Sequence, residues 1–314
     1  RRVLFRSDIL DIGALYEIVS ALNEDKTIDI IYTDEDLVDA SGMIYSNYRF
    51  KPDFNLEMLR HLNYICHIFV VRSDIMKSVG GFREEYDGAQ DFDMILRCCE
   101  KTDKIHHIPK VLYHWRAHED STAGNADSKG YAVDASVRAL EAHYKRMGID
   151  ATVEATDIFI MLKSTRTLKA TPKVSILIPS KDHTDDLDKC ISSILDKSTY
   201  DNYEIIVIEN NSTEESTWQY YEGLKKRDDR IKVVVWKHEF NYSKINNFGA
   251  SFATGEYYIL LNNDIEVITP DWIERMLGYC MDDSVGAVGA KLLYPDDTIQ
   301  HCGVVIGVGG FAGH

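Results

Sequence analysis

Apolar positions along the first half of the chain follow mixed spacings. Leu10, Ala14, Leu15, Ile18, Val19 and Leu22 recur at helical intervals and predict a helix over 8–22. The short apolar run 28–32 suits a buried strand and leads into Thr33-Asp34-Glu35-Asp36. Residues 64–71 are β-rich, and Val79-Gly80-Gly81-Phe82 reads as a turn. An amphipathic helix is expected over 92–100, opened by Gln90 and Asp91, and then a strand over 105–113 interrupted at Pro109. A helix over 129–147, closed by Gly148, and a strand over 152–162 precede a polar, basic connector at 163–173.

The second half is more regular. Strands are expected at 174–179, 203–209, 231–236 and 257–261, with helices between them at 184–195, 213–227 and 246–253, the last ended by Gly255. Such alternation predicts an α/β fold, Rossmann-like, with a mostly parallel sheet and helices on both faces. Ligands of these sheets bind beyond the carboxyl ends of the strands. Three polar clusters fall there: Ser180-Lys181-Asp182, Glu209-Asn210-Asn211-Ser212 and Asn262-Asn263-Asp264. Tyr257 and Tyr258 alternate along their strand, so one of the two faces the core.

Length and composition set the scale. With 314 residues, 45% of them apolar, the chain can bury a core in each of two domains. Its 51 acidic and 35 basic residues give a net charge of −16, which argues against nucleic acid as a partner. A local pocket for one diphosphate remains compatible with that charge, because backbone N–H groups, a metal ion or a single Lys suffice. The six cysteines form no C-x-x-C pair and read as reduced thiols of a cytoplasmic protein. No run approaches the roughly 20 apolar residues of a membrane span, and no signal-peptide pattern is present. Peripheral association with the inner face of a membrane, through segments outside this sequence, stays open. Residues 1–7 resemble a translated sequencing-adapter end and read as a non-native leader; an ordinary basic N-terminus is the alternative. No G-x-G-x-x-G follows the 174–179 strand, which counts against a nicotinamide-dependent dehydrogenase.

Five segments, in this order and spacing, carry a specific resemblance: VSILIPSKD (174–182), EIIVIENNS (204–212), FNYSKINNFGA (240–250), ATGEYYILLNNDIEV (253–267) and IQHCGVVIG (299–307). Together they resemble the nucleotide-binding half of a family 2 glycosyltransferase with the GT-A fold. DILDIGALYEIV (8–19), VGGFREEYDGAQDFDMILR (79–97) and VLYHWRAHEDSTA (111–123) resemble the acceptor half of a second such module. The implied organisation is an acceptor-side half at 8–125, a helix and connector at 126–173, and a nucleotide-sugar-binding half at 174–314. Acceptor half before donor half implies a piece of a tandem-module, polysaccharide-type enzyme, unless the two halves fold back into one permuted site.

The resemblance implies transfer of a hexose or deoxyhexose from a UDP- or dTDP-linked donor to a growing polysaccharide or lipid-linked glycan, assisted by Mg²⁺ or Mn²⁺. It places Pro179, Lys181, Asp182, Glu209, Asn211 and Asn247 in the nucleoside pocket, and Asn263 with Asp264 at the family's Asp-x-Asp metal motif. Asn262 stands there for the first carboxylate. Asp91 matches the general base, and a carboxylate at a helix start can equally serve as a cap. His118, better spaced than His114, matches a histidine that completes the metal shell, and Trp115 can stack on an acceptor sugar or pack in the core. Asp93 and Arg97 read as structural, Arg97 as partner to an acid. Asp34 and Asp36 read as loop acids near the site, because the resemblance puts that module's metal motif before Asp8. His106 and His107 face opposite ways on a strand and make no metal pair. The alternative function is a non-catalytic module that binds a nucleotide-sugar or positions a partner.

Overall fold

The computed structural model describes residues 8–116, 130–306 and 312–313. Two compact units divide the chain, Arg1–Thr167 and Leu168–His314.

In the first unit, β1 (Ile9–Leu10), α1 (Ala14–Glu24), β2 (Ile30–Val38), β3 (Tyr45–Arg49), α2 (Leu56–His61), β4 (Phe69–Val71), α3 (Ser73–Ser78), α4 (Gln90–Cys99) and β5 (Ile105–Arg116) follow in order. The sheet runs β1-β5-β2-β3, and β4 pairs the first residues of β2. Only the central pair, β2 with β5, is parallel. The helix expected over 8–22 starts later, because Ile9 and Leu10 pair with His114 and Tyr113 instead. The Asp11 carboxylate then accepts from Gly13 N at 2.7 Å and turns the chain into α1. β2 continues past residue 32, so Thr33-Asp34-Glu35-Asp36 is buried strand interior rather than a loop. β5 runs through Pro109. Its pairing with β2 slips there, from Thr33↔Ile108 to Asp34↔Val111, and such an irregularity accommodates a residue with no N–H.

α5 (Gly130–Met147) lays Ala135, Ala139, Leu140 and Tyr144 against Phe92, Ile95 and Leu96 of α4. The expected 152–162 strand is a hairpin, β6 (Ala151–Ala155) with β7 (Leu162–Arg166), whose Val153 and Leu162 join the same core. The first part of the expected connector is therefore packed strand. Its alternate side chains Leu162, Ser164 and Arg166 point inward.

In the second unit, β8 (Val174–Ser180), α6 (Thr184–Lys197), β9 (Tyr203–Glu209), α7 (Glu215–Arg227), β10 (Ile231–Val235), α8 (Tyr242–Ala250), β11 (Tyr257–Leu260) and α9 (Trp272–Cys280) realise the expected alternation. The four strands are parallel in the order β10-β9-β8-β11. Residue parity sorts the two faces. Val174, Ile176, Ile178, Ile205 and Val207 meet α6, α7 and α9, while Leu177, Ile206 and Ile208 meet Ile245 of α8. Tyr257 packs on the first of these cores and Tyr258 is exposed. α8 begins before the expected 246 because Asn241 caps it, its Oδ1 accepting from Lys244 N at 3.0 Å. Gly249 lets α8 lie on the sheet, since a Cβ there would sit 2.2 Å from Ile208 Cδ1. Two short ribbons follow, β12 (Leu292–Leu293) with β13 (Ile299–His301) and β14 (Val305–Ile306) with β15 (Ala312–Gly313).

Candidate functional site

The second unit has a topological switch point. From β8 the chain moves to β9 on one side and later returns to β11 on the other, which opens a crevice at the carboxyl ends of β8 and β11. Pro179 and Ser180 end β8, and Asn262-Asn263-Asp264 follow β11. Asn263 Nδ2 lies 3.5 Å from Ser180 Oγ, joining the two lips. Lys181 and Asp264 are exposed.

Beside the crevice, several expected donor residues are occupied with one another. Asp182, at φ +49°, accepts from Thr213 N at 3.0 Å and Glu214 N at 3.2 Å, and so fastens the loop before α7. Desolvation raises its proton affinity, but these bonds outweigh that and hold the carboxyl below the usual range. Asn211 Nδ2 donates to His238 O at 2.8 Å, and buried Asn210 donates to the same carbonyl at 2.9 Å. Glu209 is buried. One carboxylate oxygen takes the Ser212 N–H, while Oε2 meets no donor among the described residues. The Tyr221 hydroxyl is buried beside Ser212 and Ser180.

Asn247 is exposed on α8, whereas its neighbour Asn246 is buried. Asn246 Nδ2 donates to Tyr242 O at 2.8 Å, and its Oδ1 has no partner among the described residues. Asn246 and Tyr221 were not expected from the residue types. The helical phase of burial, Ile245, Asn246 and Gly249, is the signal that would have singled out Asn246.

In the first unit, Asp91 lies in the first turn of α4 but does not cap it. The cap position is Ala89, with no side-chain bond. Asn63 Nδ2 donates to Asp91 Oδ2 at 3.2 Å. Asp93 and Arg97 are structural, as read: both are buried, paired at 2.6 Å, and Arg97 also donates to Gly81 O at 2.7 Å. The three acids of β2 each have partners. Asp34 accepts from Lys51 N and faces His107 Nε2, both at 2.9 Å. Asp36 faces His114 Nδ1 at 2.7 Å. Glu35 holds Arg49 at 3.0 Å and Lys51 at 3.3 Å, with the His67 ring at 3.4 Å. Burial raises the Glu35 proton affinity, yet His67, Lys51 and Arg49 together hold its pKa down at about 2. Asp34 and Asp36 are thus strand-interior partners of histidines, not loop acids. His106 is exposed and His107 buried, facing opposite ways. Half-buried Trp115 lies under the Arg49 guanidinium, 5.5 Å from its centroid. His118 lies outside the described residues.

Among the described residues, no group of three or more His, Cys, Asp and Glu side chains is arranged to hold a metal ion. All six cysteines are free. No described helix is long and apolar enough to cross a membrane.

The family model "Glycosyl transferase family 2" matches residues 175–304, the stretch that builds this crevice. Relatives extend over both units. A Sinorhizobium fredii protein, y4gI, is 42% identical over 99% of this chain and 34% of its own length. The O-antigen biosynthesis protein RfbC of Myxococcus xanthus is 40% identical over 98% of this chain and 24% of its own. A glycosyltransferase of Haemophilus influenzae is 31% identical over 43% of this chain and 40% of its own. The chain spans only 34% and 24% of the lengths of the first two.

Proposed function

We propose that the chain is part of a polysaccharide-building glycosyltransferase whose second unit binds a nucleotide-sugar donor. The observation that carries this reading is the crevice of the family 2 domain, where the ends of β8 and β11 bring Ser180, Lys181, Asn263 and Asp264 to one edge. The similarity to RfbC supports a glycan product, with a growing surface polysaccharide or lipid-linked glycan as acceptor. In this reading Pro179, Lys181 and Glu209 line the nucleoside and diphosphate side. Glu209 Oε2, buried without a donor among the described residues, would accept from a ribose hydroxyl or a base N–H. Asp182 and Asn211 shape the pocket indirectly, by fixing the loops around it. Asn247 contributes from the exposed side of α8.

The donor set fits a hard divalent cation held lightly. Mg²⁺-type sites use one or two carboxylates together with substrate phosphates and water, and Asp264 supplies one exposed carboxylate at the strand end. Asn263 would complete the protein side; in the tandem-module reading His118 belongs to the metal shell of the first module instead. When bound, such an ion neutralises charge on the departing diphosphate. In the first unit, Asp91 would act as the base of that unit's own module, taking the acceptor hydroxyl proton as the oxygen attacks the anomeric carbon, and its freedom from capping supports that role.

Replacement of an acid by Asn262 favours one second reading, a donor site that binds without turnover. Full-length protein assayed for release of UDP or dTDP from UDP- and dTDP-sugars, with a glycan acceptor and Mn²⁺, separates the two. Acceptor-dependent release supports transfer. Nucleotide binding with no release at any acceptor supports the binding module.

A further inference from the structure

The loop between α2 and β4 is clamped beyond what its own packing requires. Residues 63–67 form no regular element. Yet the buried Lys51 ammonium donates to Ile65 O at 2.7 Å, His67 O at 2.6 Å and Glu35 at 3.3 Å. Glu35 Oε2 in turn accepts from His67 N at 3.1 Å. Inside this clamp Cys66 holds a left-handed backbone, φ +37°, a conformation that persists in a non-glycine residue where its surroundings over-determine it. The Cys66 thiol donates to Asn63 O at 3.0 Å, and Asn63 Oδ1 accepts from Cys66 N at 3.4 Å. Both ends of Asn63 are therefore fixed. What remains is its Nδ2, which points at Asp91 Oδ2 from 3.2 Å. Among the described residues it is the one hydrogen-bond donor to that carboxylate.

We propose that Asn63 is the positioning residue for Asp91. Its amide fixes the carboxylate through Oδ2 and leaves Oδ1 for an acceptor hydroxyl. This rests on the reading of Asp91 as the acceptor base. In that step the hydroxyl proton passes to Asp91 Oδ1, the hydroxyl oxygen bonds to the anomeric carbon, and the nucleoside diphosphate leaves with the electron pair of the broken bond. An Asn suits the task better than an acid or a Lys. A second carboxylate would repel the base, and an ammonium would pair with it and compete for the proton site.

The test assays full-length protein for acceptor-dependent nucleotide release, separating kcat from the acceptor KM, with Asp91→Asn as the reference for loss of the base. Asn63→Ala removes the donor, and kcat falls about tenfold. Asn63→Asp keeps the shape and the acceptor for Cys66 N, so the loop stays built even where Asn63→Ala fails to fold. There a carboxylate faces Asp91 in place of the donating amide, and kcat falls at least as far. An unchanged kcat in Asn63→Asp, beside loss of transfer in Asp91→Asn, overturns the proposal, because a merely structural Asn63 would alter melting and leave turnover alone. Retention of acceptor-dependent transfer by Asp91→Asn is the separate result that would remove the base.

Discussion

At the scale of single residues, the charges of the first unit are committed to structure more deeply than their types announce. Glu35 and Lys51 have side chains 2% and 3% exposed, and each would be a costly buried charge without the other. Glu35→Gln leaves the ammonium uncompensated, and urea unfolding should show a loss of about 3 kcal/mol. The native Glu35 pKa of about 2 lies below its ordinary 4.5. Its contribution is therefore complete above about pH 4.5 and is lost as the pH falls toward 2. The acid limb of stability against pH should flatten in Glu35→Gln, as read by thermal melts between those limits. In the second unit, Asp264 is exposed and carries no structural bond among the described residues, so Asp264→Asn should leave the melting temperature unchanged while removing any Mn²⁺ dependence of nucleotide binding.

Elements were legible in the sequence where period and partner agree. The four strands and intervening helices of the second unit follow from apolar runs of strand length separated by helical patterns. Errors fell where a local device overrides period. The residues around Leu10 have helical spacing, yet pairing with β5 captures Ile9 and Leu10 before α1 can start. Acids of the β2 interior look like a loop until Lys51, His107 and His114, distant in sequence, arrive to neutralise them. The start of α8 was hidden because the capping role of Asn241 is visible only once the chain bends there. Asn241→Ala should cost about 1 kcal/mol by chemical denaturation. Gly249 makes a stricter demand, because α8 touches Ile208 through it. Gly249→Val should cost more than the lost cap, about 1–3 kcal/mol by the same measurement, and should weaken any nucleotide binding at the sheet edge.

At the scale of the whole chain, the candidate site was legible as clusters at strand ends, and strand order then brought the β8 and β11 clusters together. Residue types alone could not separate a side chain that meets ligand from one that braces a loop. Asp182 and Asn211 hydrogen-bond to neighbouring loops, while among the described residues Glu209 and Asn246 keep buried oxygens without protein donors. Each unit holds its own apolar core, the second built wholly from residues beyond Thr167. Under the proposed function, the stretch matched by the family model, residues 175–304, is a working nucleotide-sugar site. Calorimetric titration of the full chain with UDP and with dTDP, each with and without Mn²⁺, tests it most directly. A working site gives saturable binding of one of the two nucleotides that strengthens with Mn²⁺ and loses that gain in Asp264→Asn. Absence of binding by both nucleotides in the presence of Mn²⁺ would contradict it.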